Sequence, residues 1–195
     1  MNWKLIVFIG LIGYGAYQHF ANQPDYTTAG TLVQRVPEQT NTKAAAFTHQ
    51  QYSITPLAEF SIEARVLARE DYRFDRGASL SPVDLALGWG PMTDSQVLSQ
   101  ISISQGNRFY YWHANTLPIA RNAIETHSAN MHMIPADDAI AAQLEQIRVG
   151  QLVSLEGYLV QANAADGFYW KSSLTRKDTG AGACELVFVK KLIVQ

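Results

Sequence analysis

Apolar and polar residues follow two different patterns along the chain. Residues 5–17 are an unbroken apolar run without a charge. From Leu57 onward, apolar and polar positions alternate in short stretches, as they do in half-buried strands. The segment between them is rich in Gln, Thr, Asn and Ala and shows no sustained period. We therefore expect a transmembrane signal-anchor (1–21), a flexible tether (22–56) and a globular domain (57–195).

The apolar run predicts one membrane-spanning helix. From Trp3 to Phe20, at about 1.5 Å per residue, it just crosses a hydrocarbon core about 30 Å thick. Lys4 and the amino terminus are the positive charges beside it, so the positive-inside rule keeps the N-terminus in the cytoplasm. We expect a single-pass protein of the bacterial inner membrane, attached through residues 3–20, with its C-terminal domain in the periplasm or an equivalent extracytoplasmic space.

Two other interpretations remain open for the same segment. A cleaved signal peptide would need a small-x-small site, and Gly13-Tyr14-Gly15 fits that pattern poorly. A buried N-terminal helix of a cytosolic protein would need a polar face, which residues 5–17 lack.

Six stretches of the domain are predicted to be strands, because their apolar residues alternate or because aromatic and β-branched residues concentrate in them. They are 60–68, 108–113, 124–134, 152–160, 168–174 and 184–192. Asp166-Gly167 predicts a hairpin turn after the fourth strand, and the glycines of 180–182 predict a looser turn after the fifth.

A short helix is predicted over 80–88. Ser81 stands as its N-cap, Pro82 occupies the first helical position, and Asp84 lies where a capping box places an acid. Gly88 would end the helix.

Two more helices are predicted further along. One follows residues 93–94. The other begins after Pro135, and its apolar face of Ile140, Leu144 and Ile147 should pack onto the sheet. The order of elements therefore predicts a mainly β (α+β) domain, built as a small antiparallel barrel or curled sheet with short helices.

The segment from Ile147 to Leu159 resembles the helix-to-strand entry of OB-fold barrels. In those barrels the strand carries a glycine where the barrel bends sharply, and the matching residue here is Gly157. The resemblance covers about the last fifty residues, and the helices predicted over 82–103 would be an insertion. It implies an OB-like domain.

The whole domain is also similar to a group of bacterial membrane-anchored proteins with an OB-like exported domain. The stretches that carry this similarity are 80–90, 127–132 and 172–185. The similarity implies no activity.

Charge and cysteine content narrow the function. The chain has 15 Lys and Arg against 17 Asp and Glu, a net charge of -2, so we expect no nucleic-acid partner. Its one cysteine can form neither an internal disulfide nor a multi-cysteine zinc site. The sequence contains no Walker loop, Rossmann fingerprint, Gly-x-Ser-x-Gly elbow or His-Glu-x-x-His motif.

Histidines and the cysteine form one candidate group. His113, His127, His132 and Cys184 are a set that could hold zinc or copper, although their spacing matches no common motif. Ordinary hydrogen-bonded histidines are the alternative, and we expect no cofactor. Cys184 is also a candidate nucleophile with His127 or His132 as its base. Against this, it shares one strand face with Leu186 and Phe188, which predicts a buried thiol.

A ligand surface is predicted where strand 108–113, segment 127–132 and loop 173–184 converge. The candidate ligand-binding residues are Arg108, Trp112, Asn130, Arg176 and Asp178. These groups would either lie open in one concavity or pair with one another across a barrel end. The alternating charges of 69–76 are expected to form a self-neutralising surface.

These patterns favour a non-enzymatic binding or assembly module tethered in the cell envelope, with a protein or a cell-wall glycan as its partner. The alternative is a metal- or cysteine-dependent hydrolase of the periplasm.

Overall fold

The computed structural model describes residues 7–10, 13, 30–175 and 184–195. It shows a mainly β architecture with a curled sheet. Its strands are β1 (Glu38–Thr40), β2 (Phe47–His49), β3 (Tyr52–Asp71), β4 (Val83–Gly88), β5 (Ser102–Gly106), β6 (Phe109–His113), β7 (Ser128–Pro135), β8 (Leu152–Asn163), β9 (Tyr169–Lys171) and β10 (Glu185–Val194). Its short helices are α1 (Ser95–Leu98), α2 (Arg121–Thr126) and α3 (Asp138–Gln146), with a 3-10 turn at Gly90–Thr93.

Five strands form a ring in the order β3, β4, β7, β10 and β8. The sheet returns on itself because β8 also pairs with β3. The length of β3 makes this closure possible, since its residues 53–65 pair with β8 and its residues 65–71 pair with β4. Neighbours around the ring are antiparallel except β7 and β10, which run parallel. The sheet is therefore mostly antiparallel, as expected, with one parallel pairing where β10 lies beside β7.

The interior of the ring is filled by alternate residues of its strands. Phe60, Ile62, Ala64 and Val66 of β3 point into this core, as their alternation predicted. The predicted helix face also packs there, since α3 places its apolar side in the same cluster. The α3 residues concerned are Ile140 and Leu144, followed by Ile147. The Asp137 side chain caps α3 by accepting a hydrogen bond from the Ile140 amide at 2.9 Å.

Gly157 on β8 lies directly against the backbone of β10. A Cβ at this position would stand 1.9 Å from the carbonyl oxygen of Phe188. The register between the strands shifts beside it, between Val189 and Lys191. A side chain at residue 157 would collide with that backbone, so this position requires glycine.

The predicted helix over 80–88 was wrong, because this segment supplies strand β4. Every residue of β4 is buried, with β3 on one edge and β7 on the other. A strand that is covered on both faces has no polar alternation, and periodicity alone does not distinguish it from a buried helix. Asp84 is therefore no capping residue, and its carboxylate lies fully buried.

The predicted strand over 124–134 divides into two elements. Its first residues belong to α2, and β7 starts at Ser128. The short helix expected after residues 93–94 is present as α1, and Asp94 caps it by accepting from the Gln96 amide at 2.8 Å.

The folded part begins well before residue 57. Strands β1 and β2 and the first residues of β3 lie within the segment 22–56 that we expected to be a tether. Val33 is buried in the interior core, and its carbonyl accepts a hydrogen bond from the Gly90 amide at 2.8 Å.

A separate two-stranded sheet, the β5–β6 hairpin, covers part of the outer surface. It packs with α1 and α2 over a cluster that includes Leu67 and Ala86. A second outer cluster joins Tyr52 and Leu186 to the ring of Trp170 on β9. The polar residues described below lie between these two clusters.

Within the described ranges, no helix is long and apolar enough to cross a membrane. Most of the anchor predicted over 3–20, and the turn predicted over 180–182, lie outside the described residues.

Candidate functional site

The tip of the β5–β6 hairpin brings the candidate residues together. Asn107 and Arg108 form its two-residue turn, with φ angles of 53° and 68°. Two consecutive left-handed residues fit the twist of a tight hairpin, although glycine is the usual choice at such positions. The turn therefore holds a large charged side chain in a backbone region that such residues rarely adopt.

The guanidinium of Arg108 is held by two carboxylates and a carbonyl. Its Nη1 donates to Asp84 Oδ1 at 2.8 Å and to the Ser81 carbonyl at 2.9 Å. Its Nη2 donates to both oxygens of Asp75 at 2.9 Å, and its Nε donates to Asp75 Oδ2 at 3.2 Å. The guanidinium carbon also stands 3.6 Å from the ring centre of Tyr72 and 5.4 Å from that of Trp170. We call this set of Tyr72, Asp75, the Ser81 carbonyl, Asp84 and Trp170 the guanidinium cradle.

The backbone of Arg108 is fixed as well. Its amide donates to the hydroxyl of Tyr72 at 2.9 Å. Its carbonyl accepts from Asn130 Nδ2 at 3.0 Å and from the Cys184 thiol at 3.7 Å. Burial raises the pKa of Tyr72, so its hydroxyl keeps its proton at neutral pH.

Beneath the cradle, Asp84 is joined to a buried histidine. Asp84 is fully buried and His132 is 3% exposed. His132 Nδ1 lies 2.9 Å from Asp84 Oδ1, close enough for an ion pair but not aligned as a hydrogen bond. The His132 ring also contacts Trp170, with 4.6 Å between ring centres. Among the described residues, Asp84 Oδ2 and Gln105 Oε1 are buried without a hydrogen-bond partner.

The structure gathers four of the predicted site residues and separates three others. Arg108, Asn130, His132 and Cys184 lie around the hairpin tip. The three that lie elsewhere are Trp112, His113 and His127. Arg176 and Asp178 lie outside the described residues.

Each of the separated residues has a local contact. Trp112 packs under the guanidinium of Arg121 at 4.9 Å, and His113 stands beside Asn115. His127 ends α2, where its Nδ1 lies 2.9 Å from the Ala123 carbonyl. About 13 Å of strand separate Ser128 from His132, so these contacts keep His127 and His132 at different parts of the sheet.

The placement of the histidines and of Cys184 bears on the metal and thiol candidates. In the part of the chain that the structure describes, no three His, Cys, Asp or Glu side chains form a group that could hold a metal ion. The Cys184 thiol donates to the Arg108 carbonyl at 3.7 Å and lies 3.8 Å from the Asn130 amide nitrogen.

Several residues of the cradle were missed by sequence reasoning. Asp75 was assigned to a self-neutralising surface, and Asp84 was explained as a helix cap. The signal that could have found Asp84 was its place inside the apolar run 83–88, because a buried carboxylate needs a partner.

Parts of the β3–β4 and β8–β10 connections form a rim beside the cradle, which we call the aromatic rim: residues 72–76 and 166–170, the latter including the start of β9. Arg76 joins the loops, since its Nη2 lies 2.6 Å from Asp166 Oδ2 and its guanidinium stacks on Phe168 at 4.4 Å. The amide of Phe168 and the charge of Arg76 lower the pKa of Asp166. On this rim Phe74 is 98% exposed and Tyr169 is 60% exposed.

Comparisons of the chain with protein-family models, with curated proteins and with solved structures gave no match.

Proposed function

We propose that this chain is an envelope-tethered, non-enzymatic binding or assembly module that engages a protein partner through the aromatic rim. Phe74 carries the proposal, because its ring is 98% exposed on a loop that ion pairs hold in place. Water solvates such a ring poorly, and exposed aromatic residues on firm loops are favoured contact points between proteins. Tyr169 on the adjoining loop extends the same surface.

An OB-like barrel is part of the proposal. In chain order the ring reads 1-2-3-5-4, with α3 between its third and fourth strands. OB barrels bind ligands on the face of the second and third strands, with the loops that join strands 1 to 2 and 4 to 5. The corresponding loops here lead from β3 to β4 and from β8 to β10, and they contribute the aromatic rim.

The contacts of the polar residues support binding rather than catalysis. Asp75, Asp84 and Arg108 hold one another, and the Cys184 thiol donates to a carbonyl. The ion pairs of Arg108 with Asp75 and Asp84 fix the shape of the surface beside the rim. A hydrolase would be favoured instead by stoichiometric metal in the purified protein or by rapid labelling of Cys184 with a thiol reagent.

Attachment to the membrane through residues 3–20 belongs to the same proposal, and the charge-free run of 5–17 with Lys4 beside it supports that attachment. A C-terminal alkaline phosphatase fusion should be active in a bacterial host, because this reporter matures only after export. An inactive phosphatase fusion together with an active cytoplasmic reporter fusion would contradict the predicted orientation.

Site-specific photocrosslinking tests the binding surface. A benzophenone side chain introduced at position 74 of the full chain in native membranes should yield one discrete protein adduct. The matched control is position 193, since Ile193 is 47% exposed on β10 and lies outside the rim. The adduct should weaken when Tyr169 is replaced by Ser. Equal labelling from both positions, or retention of the protein on isolated cell wall without any protein adduct, would contradict a protein partner at the rim.

A further inference from the structure

The cradle around Arg108 has the composition of a binding site for an arginine side chain. We propose that it is a guanidinium site, occupied in the isolated chain by Arg108 and taken over in the complex by an arginine of the protein partner. The proposal rests on the proposed function and names the chemistry of that partner.

The walls of the cradle match a guanidinium on its edges and on its faces. Two carboxylates and a carbonyl accept from its edge, at distances of 2.8 to 3.2 Å. The Tyr72 and Trp170 rings lie within cation–π distance of its carbon. An arginine guanidinium is planar and has five N–H donors, so it can use the acceptors at its edge and the rings on its faces together. A lysine ammonium is a compact point charge without a planar face. The ligand class is therefore arginine rather than any cation.

One buried oxygen indicates that Arg108 does not use the cradle fully. Asp84 is completely buried, and Arg108 and His132 both approach its Oδ1. Its Oδ2 has no hydrogen-bond partner among the described residues. A buried carboxylate oxygen without a donor is costly, and a guanidinium that approached Asp84 with both arms would satisfy it.

The hairpin that carries the present occupant is separate from the ring. Arg108 and Asn107 form the turn between β5 and β6, which make their own two-stranded sheet. The Arg108 side chain can therefore leave the cradle without breaking the backbone pairing of the five-stranded ring.

The position of the cradle connects it to the aromatic rim. Phe74 is adjacent in sequence to Asp75, whose side chain is 39% exposed, so the outer wall of the cradle reaches solvent. A partner segment lying on Phe74 would bring an arginine of its own to Asp75 first and to the buried Asp84 next.

The test removes the Arg108 side chain from the cradle by substitution and then measures the binding of a small arginine analogue. Arg108→Gly in the full chain removes the occupant and suits the left-handed backbone. Titration with N-acetyl-arginine methylamide should give saturable binding near about 1 mM by NMR shifts of the Trp170 indole. N-acetyl-lysine methylamide should bind at least about tenfold more weakly. Asn107→Gly is the matched control, because it relaxes the same turn while Arg108 stays in place, and it should show no such binding.

A measurement on the wild-type chain keeps the proposal falsifiable if Arg108→Gly does not fold. The arginine analogue at saturating concentration should speed amide hydrogen exchange in residues 102–113 by about twofold or more, and the lysine analogue should not. Unchanged exchange, or equal effects of both analogues, overturns the proposal. Analogue binding without a crosslink at position 74 would support the guanidinium site and contradict the proposed function. A crosslink at position 74 without analogue binding would support the proposed function and contradict the guanidinium site.

Discussion

Asp84 is the buried carboxylate that lies against both Arg108 and His132 beneath the hairpin tip. Its replacement by Ala leaves Arg108 and His132 facing a buried gap, and breaking a buried ion pair by removing one partner costs about 3–5 kcal/mol. The exposed side of the same cradle is the control, because Asp75→Ala removes a 39% exposed carboxylate and should cost about 1 kcal/mol or less. Urea unfolding of both variants measures the difference. Equal losses would show that burial does not set the strength of this pair.

A second residue-scale prediction concerns pH. Burial against Phe188 lowers the pKa of His49 from its ordinary 6.5, so the folded chain favours the neutral ring. The unfolded chain takes up a proton first as the pH falls below 6.5. The contribution of His49 to stability is therefore complete above that pH and is lost progressively below it.

Chemical denaturation at about pH 7.5 and about pH 5 checks the His49 prediction. The wild-type chain should lose more stability between these two pH values than His49→Gln, whose side chain does not titrate. A steeper pH dependence in the His49→Gln variant would contradict the assigned direction.

At the scale of elements, α3 shows what its buried face contributes. Leu144 is 1% exposed in the interior core, so Leu144→Ala should lower the free energy of unfolding by about 2–5 kcal/mol. The next residue, Glu145, is exposed, and Glu145→Ala should change stability by less than about 0.5 kcal/mol. A loss below about 0.5 kcal/mol for Leu144→Ala would mean that this face does not contribute to the core.

Gly157 gives a sharper expectation for the β8–β10 pairing. Gly157→Ala places a methyl group 1.9 Å from the Phe188 carbonyl oxygen, so the paired backbones of β8 and β10 must shift to accept it. We expect a loss of more than about 2 kcal/mol, or no folded protein. Gly106→Ala is the control, since nothing lies within 4 Å of a Cβ there. Comparable thermal denaturation midpoints for the two variants would contradict the close approach.

Whether an element could be predicted from the sequence depended on whether one or both of its faces are buried. Strand β3 and helix α3 bury one face, so their alternation and helical periodicity were informative. Strand β4 is buried on both faces and shows no alternation, so the capping pattern of Ser81, Pro82, Asp84 and Gly88 led to the wrong element. The cradle escaped prediction because its members are distant in sequence, and only the hairpin tip brings Asp75, Asp84 and Trp170 around one side chain.

At the scale of the whole molecule, the boundary of the folded unit is testable. A chain that starts at Leu57 lacks Val33, β1, β2 and the start of β3, although all of these contact the sheet. A chain that starts at Gly30 retains them and should unfold cooperatively at a higher temperature. Calorimetry of the two truncated chains measures this. Equal midpoints would mean that residues 30–56 add no stability to the folded domain, as expected of a tether.

The position of β10 has a consequence for the order of assembly. Strand β10 follows every other strand of the ring along the chain, yet it occupies the place between β7 and β8. Until β10 has been synthesised and has paired, β7 and β8 each present an unpaired edge of the kind that attracts other strands. A chain interrupted before Glu185 would keep both edges open, and we expect it to aggregate during synthesis where the uninterrupted chain folds.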